Sequence, residues 1–247
     1  MKNNKEENNR KHTKNCVVTS YDADKNRRLR LSALMRYMQE AGEEQLRTVN
    51  QDYEQLYNEG IIFIMTKCAF CITQMPTLAG KFFVTTWHSG ATGVQFFREF
   101  SVTDESGKVL ITATTAWVMI DPQTRKILKR DRFVPGIEEV KDQSASSDLI
   151  VQRKAFPNEM EGCGTRFVYW SDIDYNQHIN NAVYMDISLD FLPEGFAIDK
   201  IKYAKISFLK ENTQKNTIKM FAQIVDSEVY IKGENEDGRS FETVFGF

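Results

Sequence analysis

The sequence contains the same polar frame twice, and this repeat limits the folds that the chain can adopt. Residues 22–26 read Asp-x-Asp-x-Asn, and the frame returns 150 residues later at 172–176, in both cases ahead of an apolar run that suits a helix. A chain of 247 residues with 41% hydrophobic side chains can form one large domain or two of about half that size. The repeat favours two similar domains. They differ where Arg28 stands in the first copy and His178 in the second.

The composition argues against several classes of protein. A net charge of −2 and a pI near 6.0 give no general attraction to nucleic acid, so we expect no such partner. Nowhere does an apolar stretch reach the ~18 residues of a membrane span, and residues 1–15 are rich in Lys and Asn, unlike a secretory signal. We therefore expect a cytoplasmic protein without stable membrane insertion, and a flexible polar tail at 1–15.

The four cysteines, Cys16, Cys68, Cys71 and Cys163, are too few for a disulfide framework. Cys68 and Cys71 have no second pair that would complete a zinc site. Their odd spacing in a strand-like run points the two thiols to opposite faces of a sheet. We predict strand packing for this pair, and no metal site.

The first half, residues 16–130, has the pattern of one helix followed by antiparallel strands. Apolar side chains at intervals of three and four predict a helix over 31–49, with a buried face formed by Leu31, Leu34, Met35, Met38, Ala41 and Leu46. Strand-like runs follow at 61–74, 81–89, 94–102 and 109–120. Residues 103–107 predict a hairpin turn between the last two runs.

The stretch that follows is charged and serine-rich without a sustained period, which predicts a linker at 131–150 that runs over the surface. The order of elements then repeats in the second half, residues 151–247. A strand at 165–169 leads into the polar motif, a helix covers 181–191, and strands follow at 200–209, 217–226, 228–232 and 240–245. Residues 233–238 predict the last hairpin turn.

A second correspondence between the halves comes after the helices. Aligning Lys67-x-Ala69 with Lys202-x-Ala204 places Pro76 opposite Glu211. The second half would therefore gain a carboxylate that the first half lacks.

A helix packed on a curved antiparallel sheet is an α+β unit. Two such units in one chain can join their sheets edge to edge, as the subunits of a homodimer do, and this covers edges that would otherwise be exposed. The start of one helix then faces the sheet of the other half. We therefore expect a site between the halves.

The polar motif of the second half has the residue types of a catalytic site. Asp174, Asn176 and His178 occupy alternate positions ahead of the helix, so their side chains can share one side near the positive end of the helix dipole. Such a position can stabilise an oxyanion. Asp, Asn and Ser also cap helices, but a cap does not need the histidine or Glu211, which only the second half has. The difference between the copies therefore favours catalysis over capping alone.

The run 170–184, with its Asp-x-Asp-x-Asn-x-His-x-Asn-Asn core, resembles the corresponding motif of the fatty acyl-acyl carrier protein thioesterases of plants and bacteria. Residues 31–41 and 116–119 are similar as well, and the resemblance covers nearly the whole chain after the tail. It implies a tandem double hot-dog fold of the α+β class, with two antiparallel sheets each wrapped around one long helix. It also implies hydrolysis of the thioester that joins a long or medium fatty acyl chain to acyl carrier protein, which terminates fatty acid synthesis.

Carried across residue by residue, the catalytic set of this family falls on Asp174, Asn176, His178 and Glu211. A cysteine nucleophile directly after the glutamate, once proposed for the family, is excluded because Asn212 stands there. Two routes stay open: attack by Asp174 through an acyl anhydride, or activation of water by a carboxylate as general base. On both routes His178 would position or move a proton and Glu211 would hold the attacking water. No cofactor and no metal are implied.

The acyl chain needs a dry slot, and the helix face with Leu34, Met35 and Met38 is the predicted wall, since methionine adapts to irregular ligands. The same stripe also suits an ordinary core. Asn181, at the start of the second helix, is a further candidate for substrate binding. Acyl carrier protein, the implied partner, is acidic, so basic side chains at 27–30 or 200–210 could receive it.

Three other functions are compatible with the sequence: an acyl-CoA thioesterase, a hot-dog hydratase or dehydratase, and a non-catalytic acyl-binding protein. Hydratase motifs usually insert residues between Asn and His, whereas Gln177 alone separates them here. Both a self-contained pseudo-dimer and a homodimer of the chain fit the repeat.

Overall fold

The computed structural model of the chain describes residues 10–142, 145–152 and 154–247. In the first half, strand β1 (His12–Val17) leads through the first polar frame into helix α1 (Leu31–Arg47) and the short helix α2 (Tyr53–Asn58). The half is completed by four strands, β2 (Ile62–Ile72), β3 (Lys81–Thr92), β4 (Gln95–Thr103) and β5 (Val109–Ile120).

Helix α3 (Ala145–Val151) precedes the second half, where the order of strand, helix and four strands is repeated. The elements are β6 (Glu161–Phe167), α4 (Asn181–Asp190), β7 (Tyr203–Phe208), β8 (Thr217–Val225), β9 (Glu228–Asn235) and β10 (Gly238–Gly246). Short 3-10 helices lie at Arg130–Arg132, Trp170–Asp172 and Ile198–Lys200. None of the helices in the described residues combines the length and apolar character needed to cross a lipid bilayer.

The strands of the described chain form one continuous antiparallel sheet in the order β1-β3-β4-β5-β2-β7-β10-β9-β8-β6. The first five strands of this order come from the first half of the chain, and the last five are the equivalent strands of the second half in reverse order. The two halves meet where β2 pairs with β7, from Lys67 opposite Ser207 to Cys71 opposite Tyr203. The predicted edge-to-edge union of the two halves is therefore confirmed. It produces one sheet rather than two separate ones.

Helices α1 and α4 contact each other on one face of the sheet, α1 over β1 and β3 and α4 over β10. The core beneath them is apolar and includes five fully buried aromatic side chains, Phe70, Phe82, Phe100, Phe241 and Phe245. Burial of such side chains is the main favourable term in folding. Ala69, next to Phe70 in β2, contacts Ile150 of α3 instead. Because neighbouring residues of a strand face opposite sides, α3 covers the other face of the sheet.

Helix α3 lies in the segment 131–150, which the sequence predicted to be a linker running over the surface, and that prediction is wrong. Ile137 and Ile150 are buried, and Lys205 Nζ in β7 donates a hydrogen bond to Leu149 O at 2.8 Å. The helix is only seven residues long. Seven residues are too few to produce a sustained period, and this hid the helix among serines and charges.

The polar tail predicted at 1–15 is also shorter than expected. Residues 1–9 lie outside the described residues, but β1 begins at His12 and pairs with β3. His12 Nε2 lies 3.0 Å from Glu44 Oε2. This edge strand is composed mainly of polar residues, so hydrophobic alternation could not reveal it.

Equivalent backbone hydrogen bonds establish which residues of the two halves correspond. Leu29 N donates to Pro76 O at 2.8 Å, and Ile179 N donates to Asn212 O at 2.9 Å. Pro76 therefore corresponds to Asn212, and its predicted alignment with Glu211 is wrong by one residue. The Lys-x-Ala match on which that alignment rested is too short to determine the register.

Gly233 was predicted to lie in a hairpin turn but lies inside β9, where there is no room for a side chain. A Cβ atom there would lie 2.2 Å from Phe241 Cε1 and 2.7 Å from Ile218 Cγ2, and both neighbours are fully buried. We predict that Gly233→Ala lowers the free energy of unfolding by about 1–3 kcal/mol through overpacking. Urea unfolding measures this change.

Gly162→Ala is the matched control, because a Cβ atom at Gly162 in β6 would have no neighbour within 4 Å. We expect Gly162→Ala to leave the unfolding midpoint near that of the parent chain. Equal losses in both variants would show that the crowding around Gly233 is not the cause.

Candidate active site

The second polar frame forms a tight loop ahead of α4. Asp174 N donates to His178 O at 2.9 Å, Gln177 N donates to Asp174 O at 3.0 Å, and Gln177 has a φ of +67°. The Asp174 carboxylate accepts from Asn176 N at 2.9 Å. Such Asx turns are made by the Asp side chain itself. The turn brings Asp174, Asn176 and His178 to the wall of the same cavity.

The first polar frame makes the same turn, but its carboxylate accepts different hydrogen bonds. Arg27 has a φ of +61°, and the Asp24 carboxylate accepts from both Asn26 N (2.8 Å) and Arg28 N (2.9 Å). Of these two side-chain bonds, the described structure of the second copy keeps only the bond from Asn176 N. The Asp174 carboxylate is therefore less occupied by its own loop than Asp24 is.

His178 and Glu211 are in direct contact. The imidazole Nε2 lies 2.9 Å from Glu211 Oε2, and the other carboxylate oxygen, Oε1, accepts a hydrogen bond from Arg125 Nη2. An ionised carboxylate can only accept, so the imidazole donates through Nε2 and a neutral ring keeps Nδ1 as an acceptor. The structure thus brings together the histidine and the glutamate found only in the second half. It adds an arginine from the first half.

Residues around Glu211 show how the second half differs from the first. Met75, which is partly buried against the apolar core, holds the position that corresponds to Glu211. Asn212 is fully buried; its Nδ2 donates to Tyr184 Oη at 2.9 Å and its Oδ1 accepts from Asn235 Nδ2 at 2.9 Å. Burial raises the pKa of Tyr184 to about 12. This satisfied polar network fixes the chain just after Glu211.

Helix α2 was not predicted, and it brings a further residue to the site. Tyr53 Oη donates to Asn176 Oδ1 at 3.0 Å, and the Tyr53 ring makes an edge contact with Tyr175 at 5.5 Å between centroids. Burial raises the pKa of Tyr53, so the hydroxyl is a neutral donor. Asp52 caps the helix by accepting from Gln55 N at 3.1 Å. An Asp followed three residues later by Gln is a helix-start pattern that could have revealed α2 from the sequence.

A cavity of about 1030 Å³ connects these groups with the first half. Its apolar lining comes mainly from α1 and the first-half strands and includes Met35, Met38, Leu46, Phe96, Phe100 and Trp117. Among the predicted substrate-binding residues, Met35, Met38 and Asn181 line the cavity. Leu34 does not: it is fully buried in the core, since neighbouring helix positions point in directions about 100° apart.

The cavity wall also contains a cation. The Arg98 guanidinium donates through Nη1 to Gln45 Oε1 at 2.6 Å and to Thr86 Oγ1 at 3.2 Å. Burial lowers the pKa of Arg98 to about 10, which still leaves it charged at neutral pH. Among the residues described, no group of three or more His, Cys, Asp and Glu side chains is placed to hold a metal ion.

Asp172, the other carboxylate of the motif, has a structural environment. Its side chain is buried, Arg166 Nη2 lies 2.9 and 3.0 Å from its two oxygens, and Tyr169 N donates to Oδ2 at 2.8 Å. These bonds hold the 3-10 turn Trp170–Asp172 that leads into the loop. The Asp172 carboxylate is therefore used in hydrogen bonds that hold the loop, whereas Asp174 lines the cavity.

We predict that Asp172→Ala lowers stability much more than Asp174→Ala does. Asp172→Ala removes the acceptor of a mostly buried pair and should lower the free energy of unfolding by about 2–4 kcal/mol. Asp174→Ala removes one bond within an exposed loop and should cost less than about 1 kcal/mol. Thermal and urea unfolding of both variants measure the difference; a larger loss in Asp174→Ala would contradict the assignment of the two carboxylates.

Comparisons with known proteins agree with this arrangement. The model of the acyl-ACP thioesterase N-terminal domain matches residues 9–132, and that of the acyl-ACP thioesterase C-terminal domain matches residues 163–242. The solved structure of an acyl-ACP thioesterase from Bacteroides thetaiotaomicron has the same fold, with a TM-score of 0.84, 22% identity, and coverage of 98% of this chain and 99% of that chain.

Curated relatives include two proteins named palmitoyl-acyl carrier protein thioesterase, chloroplastic. The one from Arabidopsis thaliana is 23% identical over 235 residues, which cover 87% of this chain and 55% of that protein. The one from Gossypium hirsutum is 26% identical over 195 residues, 73% of this chain and 47% of that protein. The chain thus spans about half the length of the curated relatives it matches. Because the two domain models together match most of the sequence, the chain belongs to the acyl-ACP thioesterase family.

Proposed function

We propose that the protein hydrolyses the thioester between a fatty acyl chain and the phosphopantetheine arm of acyl carrier protein, releasing the free fatty acid and the carrier thiol. The observation that carries the proposal is the contact of His178 Nε2 with Glu211 Oε2 at 2.9 Å, beside Asp174 and Asn176 on the wall of one cavity. Membership of the family and the names of the relatives support the same reaction.

The cavity has the features that an acyl substrate needs. Its volume of about 1030 Å³ lies at the upper end of small-molecule sites, which span roughly 300–1,000 Å³. Methionines Met35 and Met38 give its wall an apolar surface that adapts to a flexible chain. The polar groups of the second half line the same cavity, where they would hold a thioester carbonyl.

Each polar group has a role that fits its position. The Asn176 amide would bind the carbonyl oxygen, on which negative charge develops in the transition state. His178 would hold or move the proton, with Glu211 fixing its ring and holding the attacking water. A thiolate leaves readily, so little acid assistance is needed.

Asp174 fits two routes, which share every other residue. It can attack the thioester carbonyl, expelling the thiolate and forming an acyl anhydride that water then opens; or a carboxylate can take a proton from water as the water attacks. Hydroxylamine added during turnover distinguishes them, because it converts an Asp174 anhydride into a hydroxamate that peptide mass spectrometry detects. The general-base route leaves Asp174 unmodified.

The partner would be acyl carrier protein, whose acidic surface needs a basic rim around the cavity. Lys210 lies next to Glu211, lines the cavity and is exposed, which makes it a candidate for that rim. Both walls of the cavity come from the same chain, so the proposed reaction needs no second copy. A cytoplasmic location belongs to the same proposal, and cell fractionation tests it.

The direct test is release of free thiol from purified acyl-acyl carrier protein, followed at several acyl lengths beside the matching acyl-CoA. We expect thiol release with the carrier substrate at a higher kcat/KM than with acyl-CoA. Loss of an enoyl double bond without thiol release would instead indicate a hydratase, and binding without turnover an acyl-binding protein. Profiling of the free fatty acids that accumulate on overproduction then gives the preferred chain length.

We predict that His178→Ala lowers kcat at least about tenfold, because a positioned acid or base contributes about 10²–10⁴ to the rate. The melting temperature should hardly change, since the side chain is partly exposed and pairs with a carboxylate that is 41% exposed. Equal loss of stability and activity, or loss of neither, would argue against a catalytic His178.

Arg28→Ala is the matched control at the corresponding position of the first half. Arg28 lies 3.5 Å from Asp199 in a partly exposed ion pair, away from the Asp174 loop. We expect its removal to leave kcat within about twofold of the parent chain. A collapse of turnover with carrier binding preserved would show that the site is assigned to the wrong half.

A further inference from the structure

We propose that the first half supplies two positioning residues, Arg125 and Tyr53, which set the geometry of Glu211 and Asn176 across the boundary between the halves. This inference rests on the proposed thioester hydrolysis. If these two residues are needed, the second half does not hold a complete site by itself. The first half then takes part in catalysis in addition to forming the acyl cavity.

Arg125 is held in a turn that directs it toward the second half. The turn follows β5, with Arg125 N donating to Asp121 O at 2.9 Å. The Asp121 carboxylate accepts from Gln123 N (3.0 Å) and Thr124 N (2.7 Å), and Arg125 itself has a φ of +59°. These local bonds fix the backbone without using the guanidinium. The guanidinium is left to pair with Glu211.

The pairing leaves Glu211 with a different donor on each oxygen. Oε1 accepts from Arg125 and Oε2 contacts His178. Glu211 is 41% exposed and emerges at the end of β7, so packing alone does not restrict its side-chain torsions. A guanidinium binds a carboxylate with directional hydrogen bonds. Arg125 therefore holds the plane of the carboxylate, and through it the plane of the His178 ring.

Tyr53 acts on the other side of the loop. Because its hydroxyl donates to Asn176 Oδ1, the amide Nδ2 of Asn176 is the end left to donate to a substrate oxygen. Without this bond the amide can turn over and present its oxygen, which repels a developing oxyanion. Leu56 of the same helix is buried against Phe96 and Met119, and this anchors Tyr53.

The asymmetry of the fold supports a functional reason for this contact. In the described residues, the connection between α1 and β2 contains helix α2, whereas the corresponding connection between α4 and β7 contains only the 3-10 helix Ile198–Lys200. Helix α2, the additional element of the first half, is the one that contacts the polar loop of the second half. Helix α2 is six residues long and adds little to the core beyond Leu56.

Arg125→Ala tests the first contact with steady-state kinetics on acyl-acyl carrier protein. We expect kcat to fall about tenfold with KM within about twofold, because orientation of the Glu211–His178 pair is lost while the apolar lining from α1 and the first-half strands is kept. Arg125→Lys, which keeps the charge but not the planar fork, should be intermediate. Millimolar guanidinium chloride should restore part of the Arg125→Ala rate, an effect that a purely structural role would not give.

Arg130→Ala is the matched control, since Arg130 is exposed in the same region and donates to Ala91 O at 3.1 Å. Neither kcat nor its response to guanidinium should change there. An unchanged kcat in Arg125→Ala, or a loss in that variant that guanidinium does not relieve, would overturn the role of Arg125.

Tyr53→Phe removes only the hydroxyl that holds Asn176. We expect kcat to fall about five- to tenfold, the effect of one hydrogen bond, with KM within about twofold. Tyr21→Phe removes an exposed hydroxyl and should be silent. A wild-type kcat in Tyr53→Phe would overturn the role of Tyr53.

A double-substitution cycle separates failure of this inference from failure of the proposed function. In a Glu211→Gln background, Arg125→Ala should have almost no further effect, because both act through the same carboxylate. If the parent chain releases no thiol from acyl-acyl carrier protein, the proposed function has failed, and if Glu211→Gln and His178→Ala keep full activity, the assignment of this pair has failed. If both lose activity while Arg125→Ala and Tyr53→Phe keep theirs, only the inference has failed.

Discussion

The backbone pairing of β2 with β7 is the interaction on which the rest of the structure depends. It joins two similar halves into one sheet, and it satisfies the two strand edges that would otherwise be open. It also fixes the distance across the cavity, because the first-half wall and the polar loop of the second half belong to opposite sides of this junction. Contacts such as Tyr53 with Asn176 can form only while the pairing keeps its register.

The two halves use the same loop to hold different side chains. Both polar frames make an Asx turn that contains a residue at positive φ. Just after each turn, a backbone N–H donates to the segment that follows the next strand: Leu29 N to Pro76 O, and Ile179 N to Asn212 O. Since backbone and capping groups build the loop, the side chain at its exit can vary. Arg28 there pairs with Asp199, whereas His178 pairs with Glu211. The same backbone scaffold therefore holds a different ion pair in each half.

Much of this arrangement can be predicted from the sequence, and the exceptions have physical causes. The period of α1, the alternating strands and the polar motif are local patterns. The contrast between copies singled out His178 and Glu211, which the structure places in contact, although the alignment was wrong by one residue. The contacts of Arg125 and Tyr53 join residues 86 and 123 positions apart, and no local pattern encodes them. Leu34 was predicted to line the cavity but lies in the core, because the helical period identifies the buried face of α1 but not which of its side chains border the cavity.

Stability and chemistry are carried by different groups in this site. The scaffold of the loop rests on buried or backbone interactions, notably the Arg166–Asp172 pair and the Asn212 network. The groups that we propose to react are partly exposed: the His178 and Glu211 side chains are 26% and 41% accessible. Pairs at such exposure contribute only about 0–1 kcal/mol to folding. Substitution of these side chains should therefore have little effect on the folded state, so under the proposed function one half of a duplicated fold can hold a catalytic pair that the other half lacks without a large loss of stability.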